Sequence, residues 1–186
     1  MDTDERQYTV RQATEADLAA LEDIKSPRAI HEDRLRDADG DRLLYLIIEE
    51  FGTVIGFVLL VFERPSTWSD ANDKSHLPAM VDLLVRPDRR SRGAGSFLIR
   101  WVEETVRARG GIRLYIGVDP VDNPRAHQLY VRLGYTPLQT RPYRGHWEFT
   151  DSDGNVHEGN EWNIDMVKEF SQQTQRVPNQ QIERDQ

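Results

Sequence analysis

The chain has no cysteine among its 186 residues. That removes disulfides, thiolate metal sites and any cysteine nucleophile, and it leaves the compartment open. No apolar run approaches the ~20 residues that a membrane-spanning helix needs. Met1 to Gln7 is acidic and polar and lacks the basic and apolar segments of a leader, so the cytoplasm is the default expectation and no membrane partner is expected. Positive charge is in deficit: 24 Lys and Arg stand against 32 Asp and Glu, a net charge of −8. That balance argues against nonspecific nucleic-acid binding. No internal repeat is visible. No His, Asp and Glu spacing suggests a metal site, so no metal is expected.

The scarce positive charge is concentrated. Arg86, Arg89, Arg90 and Arg92 lie within seven residues that contain one acid, Asp88. On an acidic chain this reads either as a solvated charge run or as a site for a small anionic ligand. Its neighbours favour the ligand. Met80 to Val85 reads as a buried strand. Phe97, Leu98, Trp101, Val102, Thr105 and Val106 repeat at helical spacing. Between them stands Gly93-Ala94-Gly95. A strand, a glycine loop and a helix hold phosphate, because backbone N–H groups converge and the helix N-terminus carries partial positive charge. A P-loop requires Lys after the glycines, and none follows. A dinucleotide fingerprint requires Gly or Ala three residues after Gly95, where Leu98 stands.

The rest alternates strands and helices. Tyr8 to Gln12 reads as a strand. Thr14 caps a helix with Leu18, Leu21 and Ile24 inward. Pro27 starts a second helix to about Asp37, with Ile30 and Leu35 inward and Gly40 ending it. Leu43 to Glu50 and Val54 to Phe62 form a hairpin around Phe51-Gly52-Thr53. Both strands are apolar on two faces, so helices are expected to cover the sheet. Arg64 to Ser75 is a polar loop whose Trp68 reads as a substrate cover or as an anchor. Ile112 to Val118 is a fifth strand. Asn123 caps a fourth helix with Pro124 at its first position, and Ala126, Leu129, Tyr130 and Leu133 share a face. Gly134 stops it. Tyr135 to Arg141 reads as a sixth strand interrupted by Pro137. Trp147 to Thr150 and Val156 to Glu158 suggest a small hairpin, and Trp162 to Val167 a final strand. Residues 1–170 are expected to form one domain, and 171–186, rich in Gln, a disordered tail.

Two stretches carry a family resemblance. Arg90-x-x-Gly93-x-Gly95, behind Leu83-x-Val85-x-Pro87, resembles the coenzyme A loop of the GNAT N-acetyltransferase superfamily. Asn123 to Tyr135, with Ala126, Leu129, Tyr130 and Gly134, resembles that family's Asn-x-x-Ala-x-x-Leu-Tyr-x-x-x-Gly-Phe/Tyr segment. The order and spacing match the family's. The resemblance is specific over Asp82 to Tyr135 and follows the order of elements from Tyr8 to Val167. It implies an α/β fold: a mixed, mostly antiparallel seven-stranded sheet flanked by about four helices, with splayed fourth and fifth strands. Acetyl-CoA would lie in the fork as cosubstrate. Arg90, Ser91, Arg92, Gly93, Ala94, Gly95 and Ser96 would cradle its pyrophosphate. Leu84 and Val85 would offer backbone groups to its arm and acetyl carbonyl, Asn123 would contact it, and Tyr130 would stand beside its sulfur.

The implied reaction is acetyl transfer to a primary amine of a small molecule or peptide. Tyr130 would act as general acid or thiolate stabiliser; packing on the helix's apolar face is its plain alternative. The base is open. Ala79 and Val81, nearest to the family's base positions, cannot titrate. Asp82 is the acid on that strand, a candidate base or a structural residue bonding nearby loops. His76, Glu32, His31, Glu63 and Asp119 are unranked alternatives. The acidic balance favours a cationic acceptor. A coenzyme A-binding sensor or scaffold without catalysis, and an acyltransferase using a different acyl-CoA, are the rival readings. Trp147 to Trp162 is read as a substrate wall or as the contact of a homodimer.

Overall fold

The computed structural model describes residues 7–64, 77–150 and 154–171. Its strands are β1 (Tyr8–Gln12), β2 (Leu43–Glu50), β3 (Thr53–Val61), β4 (Ala79–Val85), β5 (Arg113–Val118), β6 (Thr136–Pro137), β7 (Tyr143–Thr150) and β8 (Val156–Glu169). Its helices are α1 (Leu18–Ile24), α2 (Arg28–Asp37), α3 (Ala94–Ala108) and α4 (Pro124–Arg132). The sheet runs β1-β2-β3-β4-β5-β8-β6, and β7 pairs with β8. Every pairing is antiparallel except β4 with β5. The expected mixed, mostly antiparallel sheet with four helices is present, with eight strands in place of seven.

The two-faced apolarity of β2 and β3 has the expected cause. Leu44, Leu46 and Ile48 pack into one core with Leu98, Ile99, Val102 and Val106 of α3. Leu43, Tyr45 and Ile47 enter a second core with Leu21 of α1 and with Phe57, Leu59 and Val61 of β3. Side chains alternate across the sheet, so each strand feeds both cores. Full burial of one such side chain contributes about 1.5–3 kcal/mol.

A bulge in β4 shapes the site. Leu59 lies opposite Val81 and Phe57 opposite Leu84, so Val58 of β3 faces both Asp82 and Leu83. Asp82 adopts a left-handed φ of 51°. On its other edge β4 pairs β5 only at Ala79–Tyr115 and Met80–Ile116. Past that point the strands part, which is the expected splay. Gly56 lets β3 stay close to the bent strand: a Cβ there would stand 2.5 Å from the Leu84 carbonyl oxygen.

Four boundaries differ from the sequence reading. Glu15–Asp17 forms a 3-10 turn, and α1 begins at Leu18. Asp17 takes hydrogen bonds from the Thr14 amide and hydroxyl, which holds that turn tight. Pro27 is the N-cap of α2, which begins at Arg28. The sixth strand is only Thr136–Pro137, because Tyr135 turns into the core and Pro137 offers no N–H. The hairpin and the final strand are one unit: β8 is continuous over 14 residues, and its first half pairs with all of β7. Gly159 and Asn160 look like a break in sequence, but paired with Trp147 and His146 they stay extended. Trp68, His76, most of the Arg64–Ser75 loop and the tail after Ser171 lie outside the described residues.

Candidate functional site

The glycine loop is held at both ends. Tyr8 donates its hydroxyl proton to the Arg92 carbonyl at 2.8 Å. Arg89 pairs with the buried Glu50 at 2.6 Å. Arg90 Nε donates to the Val85 carbonyl at 2.8 Å, closing the loop onto β4. Gly93 has φ 96°, a left-handed turn that glycine adopts without a Cβ penalty. The first bond into α3 runs from Phe97 N–H to the Gly93 carbonyl at 2.9 Å. The amides of Ala94, Gly95 and Ser96 therefore lie outside the helix ladder, where the helix dipole is positive.

These groups open onto a cleft of about 740 Å³, a size suited to a cofactor. Leu84, Val85, Arg90, Ser91, Gly93, Gly95, Ser96, Asn123 and Tyr130 all line it. Arg92 and Ala94 do not: Arg92 is exposed and offers its carbonyl to Tyr8, and Ala94 is buried. Arg125 and Arg132 of α4 line the cleft as well. Arg125 donates to Ser91 Oγ at 3.0 Å, linking the two sides of the entrance. Neither is marked in the sequence, since both occupy the x positions of the helix motif. Asn123 caps α4 by accepting from the Ala126 amide at 3.3 Å. Tyr130 is 4% exposed, and burial pushes its phenol pKa up. Among the described residues its hydroxyl has no hydrogen-bond partner. The phenol thus stays protonated with its O–H available.

A second cleft, of about 300 Å³, lies across the fork. Ala79, Met80, Val81 and Asp82 of β4 line it, whereas the next three residues, Leu83 to Val85, line the first. The bulge divides the strand between the two. Gly117 of β5, Tyr143 and His146 of β7, and Glu161, Asn163 and Asp165 of β8 complete its walls, with Arg64 at the rim.

The candidate bases separate on geometry. Asp82 accepts from Lys25 Nζ at 2.6 Å and from Arg34 at 2.5 Å. Desolvation pushes its pKa up, but the charges of Arg34 and Lys25 outweigh that and hold it below the usual range. An acid so held is a weak base. It ties α1 and α2 to β4, the structural alternative raised above. His31 is buried, with Nδ1 2.6 Å from Tyr45 Oη and Nε2 2.5 Å from the Lys25 carbonyl, and desolvation lowers its pKa. Glu32 pairs with Arg28 on the surface. Asp119 accepts from the amides of Val121, Asp122 and Trp162. Glu63 is exposed and does not line the second cleft. His146, Glu148 and Glu158 bring ligand atoms within 4.8 Å of one another, all on exposed residues of the β7–β8 ladder. Cross-strand register makes this cluster, so no linear spacing announces it. No helix among the described residues is long and apolar enough to cross a membrane.

An uncharacterized N-acetyltransferase of Methanocaldococcus jannaschii is 31% identical over 102 residues, 54% of this chain and 40% of that protein. The chain thus spans less than half the length of this curated relative. A Salmonella typhimurium structure holding its cofactor acetyl-CoA superposes with a TM-score of 0.61 at 19% identity, covering 90% of this chain and 96% of that one. A spermidine N-acetyltransferase of Vibrio cholerae, in complex with CoA and spermine, gives 0.62 at 15% identity, covering 88% and 96%. At these identities the structural likeness shows the fold. The sequence model of the acetyltransferase (GNAT) family matches residues 7–135, the span from β1 through the glycine loop to the end of α4, and the chain belongs to that family.

Proposed function

We propose that the protein transfers an acetyl group from acetyl-CoA to a primary amine. One observation carries this reading: consecutive residues of β4 line two clefts, one offering backbone amides and arginines and one holding carboxylates. The first offers amides at the α3 N-terminus, Arg90, Arg125 and Arg132, and apolar walls from Leu83, Leu84 and Leu129. That donor set fits a pyrophosphate with an amide-bearing arm. Beyond Met80 the β5-facing edge of β4 has no strand partner, although the Val85 carbonyl already accepts from Arg90, and a free backbone N–H on that edge is suited to steady a tetrahedral oxyanion.

Acetyl-CoA supplies the activated acyl group; the chain's residues orient it and manage protons. Tyr130 lines the same cleft and donates its O–H toward the departing sulfur. Phenol (pKa ~10) is a weaker acid than a thiol (~8.5), and burial weakens it further, so a hydrogen bond in the transition state is favoured over full proton transfer. Glu161 and Asp165 in the second cleft favour a cationic acceptor. The Vibrio cholerae relative, named for spermidine, supports that class. The test is thiol release from acetyl-CoA with a panel of polyamines, aminoglycosides, peptide N-termini and neutral amines, alongside calorimetric coenzyme binding. Turnover is expected with cationic amines. Coenzyme binding without turnover on any amine would favour a sensor, and no coenzyme binding would refute the reading of the first cleft.

A further inference from the structure

An alkyl ammonium with a pKa of ~10 must lose a proton before its nitrogen attacks a thioester. The β4 positions facing the second cleft do not provide for this. Ala79 and Val81 have no titratable atom, and Asp82 is held by two cations. Asp165 has both oxygens engaged, accepting from Tyr143 Oη at 3.0 Å and Gln139 Nε2 at 3.2 Å.

Glu161 differs from all of these. It stands on β8, and the strand order β5-β8 brings it to the wall of the cleft. Its Oε1 accepts from Asn163 Nδ2 at 3.2 Å. Its other oxygen has no hydrogen bond, and no cation pairs with it, among the described residues. Although the residue is exposed at the cleft mouth, desolvation of its carboxyl, followed by the charges of Asp119 and Asp82, pushes its pKa up against the opposing pull of Lys25. A base serving neutral pH requires that direction. Asn163 lines the same cleft, and its Oδ1 is a buried oxygen without a partner. That oxygen stands 2.9 Å from where a Cβ on Gly117 would be. The missing side chain on β5 is therefore what admits it.

We propose that Glu161 accepts the proton of the acceptor ammonium, with Asn163 Nδ2 orienting the Glu161 carboxylate and the Asn163 amide packed onto Gly117. This rests on the acetyl-transfer reading above. The ammonium gives one proton to Glu161 and becomes a neutral amine. The nitrogen lone pair forms the C–N bond at the thioester carbon. The C–S bond breaks, and its electron pair leaves on sulfur. The nitrogen's surplus proton passes to that sulfur through solvent, while Tyr130 donates a hydrogen bond. Glu161 then releases its proton to water, so ammonium and acetyl-CoA yield amide, CoA thiol and one proton.

The test is Glu161→Gln, followed across pH. Other charged and titratable groups face this carboxyl: Asp82 with Lys25 and Arg34, Asp119 after β5, Tyr115, Tyr143, His146, Asp165 and Arg64. All are retained in the variant, so a difference between the two profiles belongs to Glu161. At pH 7, kcat/KM for the amine should fall about 100-fold, while the KM for acetyl-CoA should move less than about twofold. The defect should then shrink roughly tenfold per pH unit between pH 7 and 9, because alkali supplies the neutral amine that Glu161 otherwise makes. A variant with the wild-type rate and profile overturns the proposal. So does a loss that stays constant with pH, which would show a positioning role only. Wild-type protein that turns over no amine in the panel overturns the acetyl-transfer reading, and this proposal with it.

Discussion

Replacing Tyr130 with Phe removes one oxygen and leaves the ring in place. The ring is buried against Tyr135, 5.9 Å between centroids, and its hydroxyl has no hydrogen-bond partner among the described residues. The fold therefore loses no bond, and the melting temperature should stay within about 2 °C, less than 1 kcal/mol for a domain of this size. The transition state loses a hydrogen bond to developing negative charge on sulfur. Such bonds contribute about 1.5–3 kcal/mol, a factor of roughly 10–150 in rate. The assay is single-turnover thiol release with saturating acetyl-CoA and the best acceptor from the panel, which separates chemistry from product release. Coenzyme affinity by calorimetry should change by less than about threefold, since the ground-state thioester sulfur is a weak acceptor. A single-turnover rate within about twofold of wild type would refute the argument. So would a loss of rate that follows a loss of coenzyme affinity or of stability, because the hydroxyl would then serve the fold or binding.

Gly56→Ala places a Cβ 2.5 Å from the Leu84 carbonyl oxygen and 3.2 Å from the Val85 Cα. Overpacking against backbone costs about 1–3 kcal/mol, so the melting temperature should drop by roughly 2–12 °C and coenzyme affinity should weaken with it; an unchanged melting curve would show that β3 and β4 are less tightly apposed. Asp82→Asn leaves Lys25 and Arg34 facing each other without their shared carboxylate. The folded pKa of Asp82 lies below its unfolded value, so its contribution is present above about pH 4 and is lost as pH falls through the folded value. Urea unfolding should thus show the variant less stable at pH 7, with the gap closing below about pH 4. A gap that is independent of pH would mean that shape, not charge, makes the difference.

Local features were legible in the sequence, and features that depend on register were not. The α4 helix reads correctly because Asn123, Pro124 and Gly134 each act within one turn. The glycine loop reads correctly for the same reason: a strand, a left-handed Gly93 and a helix start are neighbours in the chain. The bulge at Asp82 depends on how β4 registers against β3, and nothing within β4 encodes that count. Glu161 shares the cleft with Asp82 only because β8 returns beside β5. Arg125 and Arg132 are not legible because a motif with open positions is silent about which of them line the cleft.

The two-pair junction between β4 and β5 has a mechanical consequence. A ladder transmits opening cooperatively in proportion to the bonds it carries, and this one joins β1–β4 to the β5–β8 half through a seam two residues long. The halves are also coupled by the helix α3, which packs its apolar face into the core they share. A ligand arm bearing amides, lodged in the wedge, would act as a short surrogate strand along edges that have no strand partner. The sheet becomes continuous only when occupied, so occupancy would be recorded as slowed amide exchange at Leu83 to Val85 and as the merging of two opening units into one.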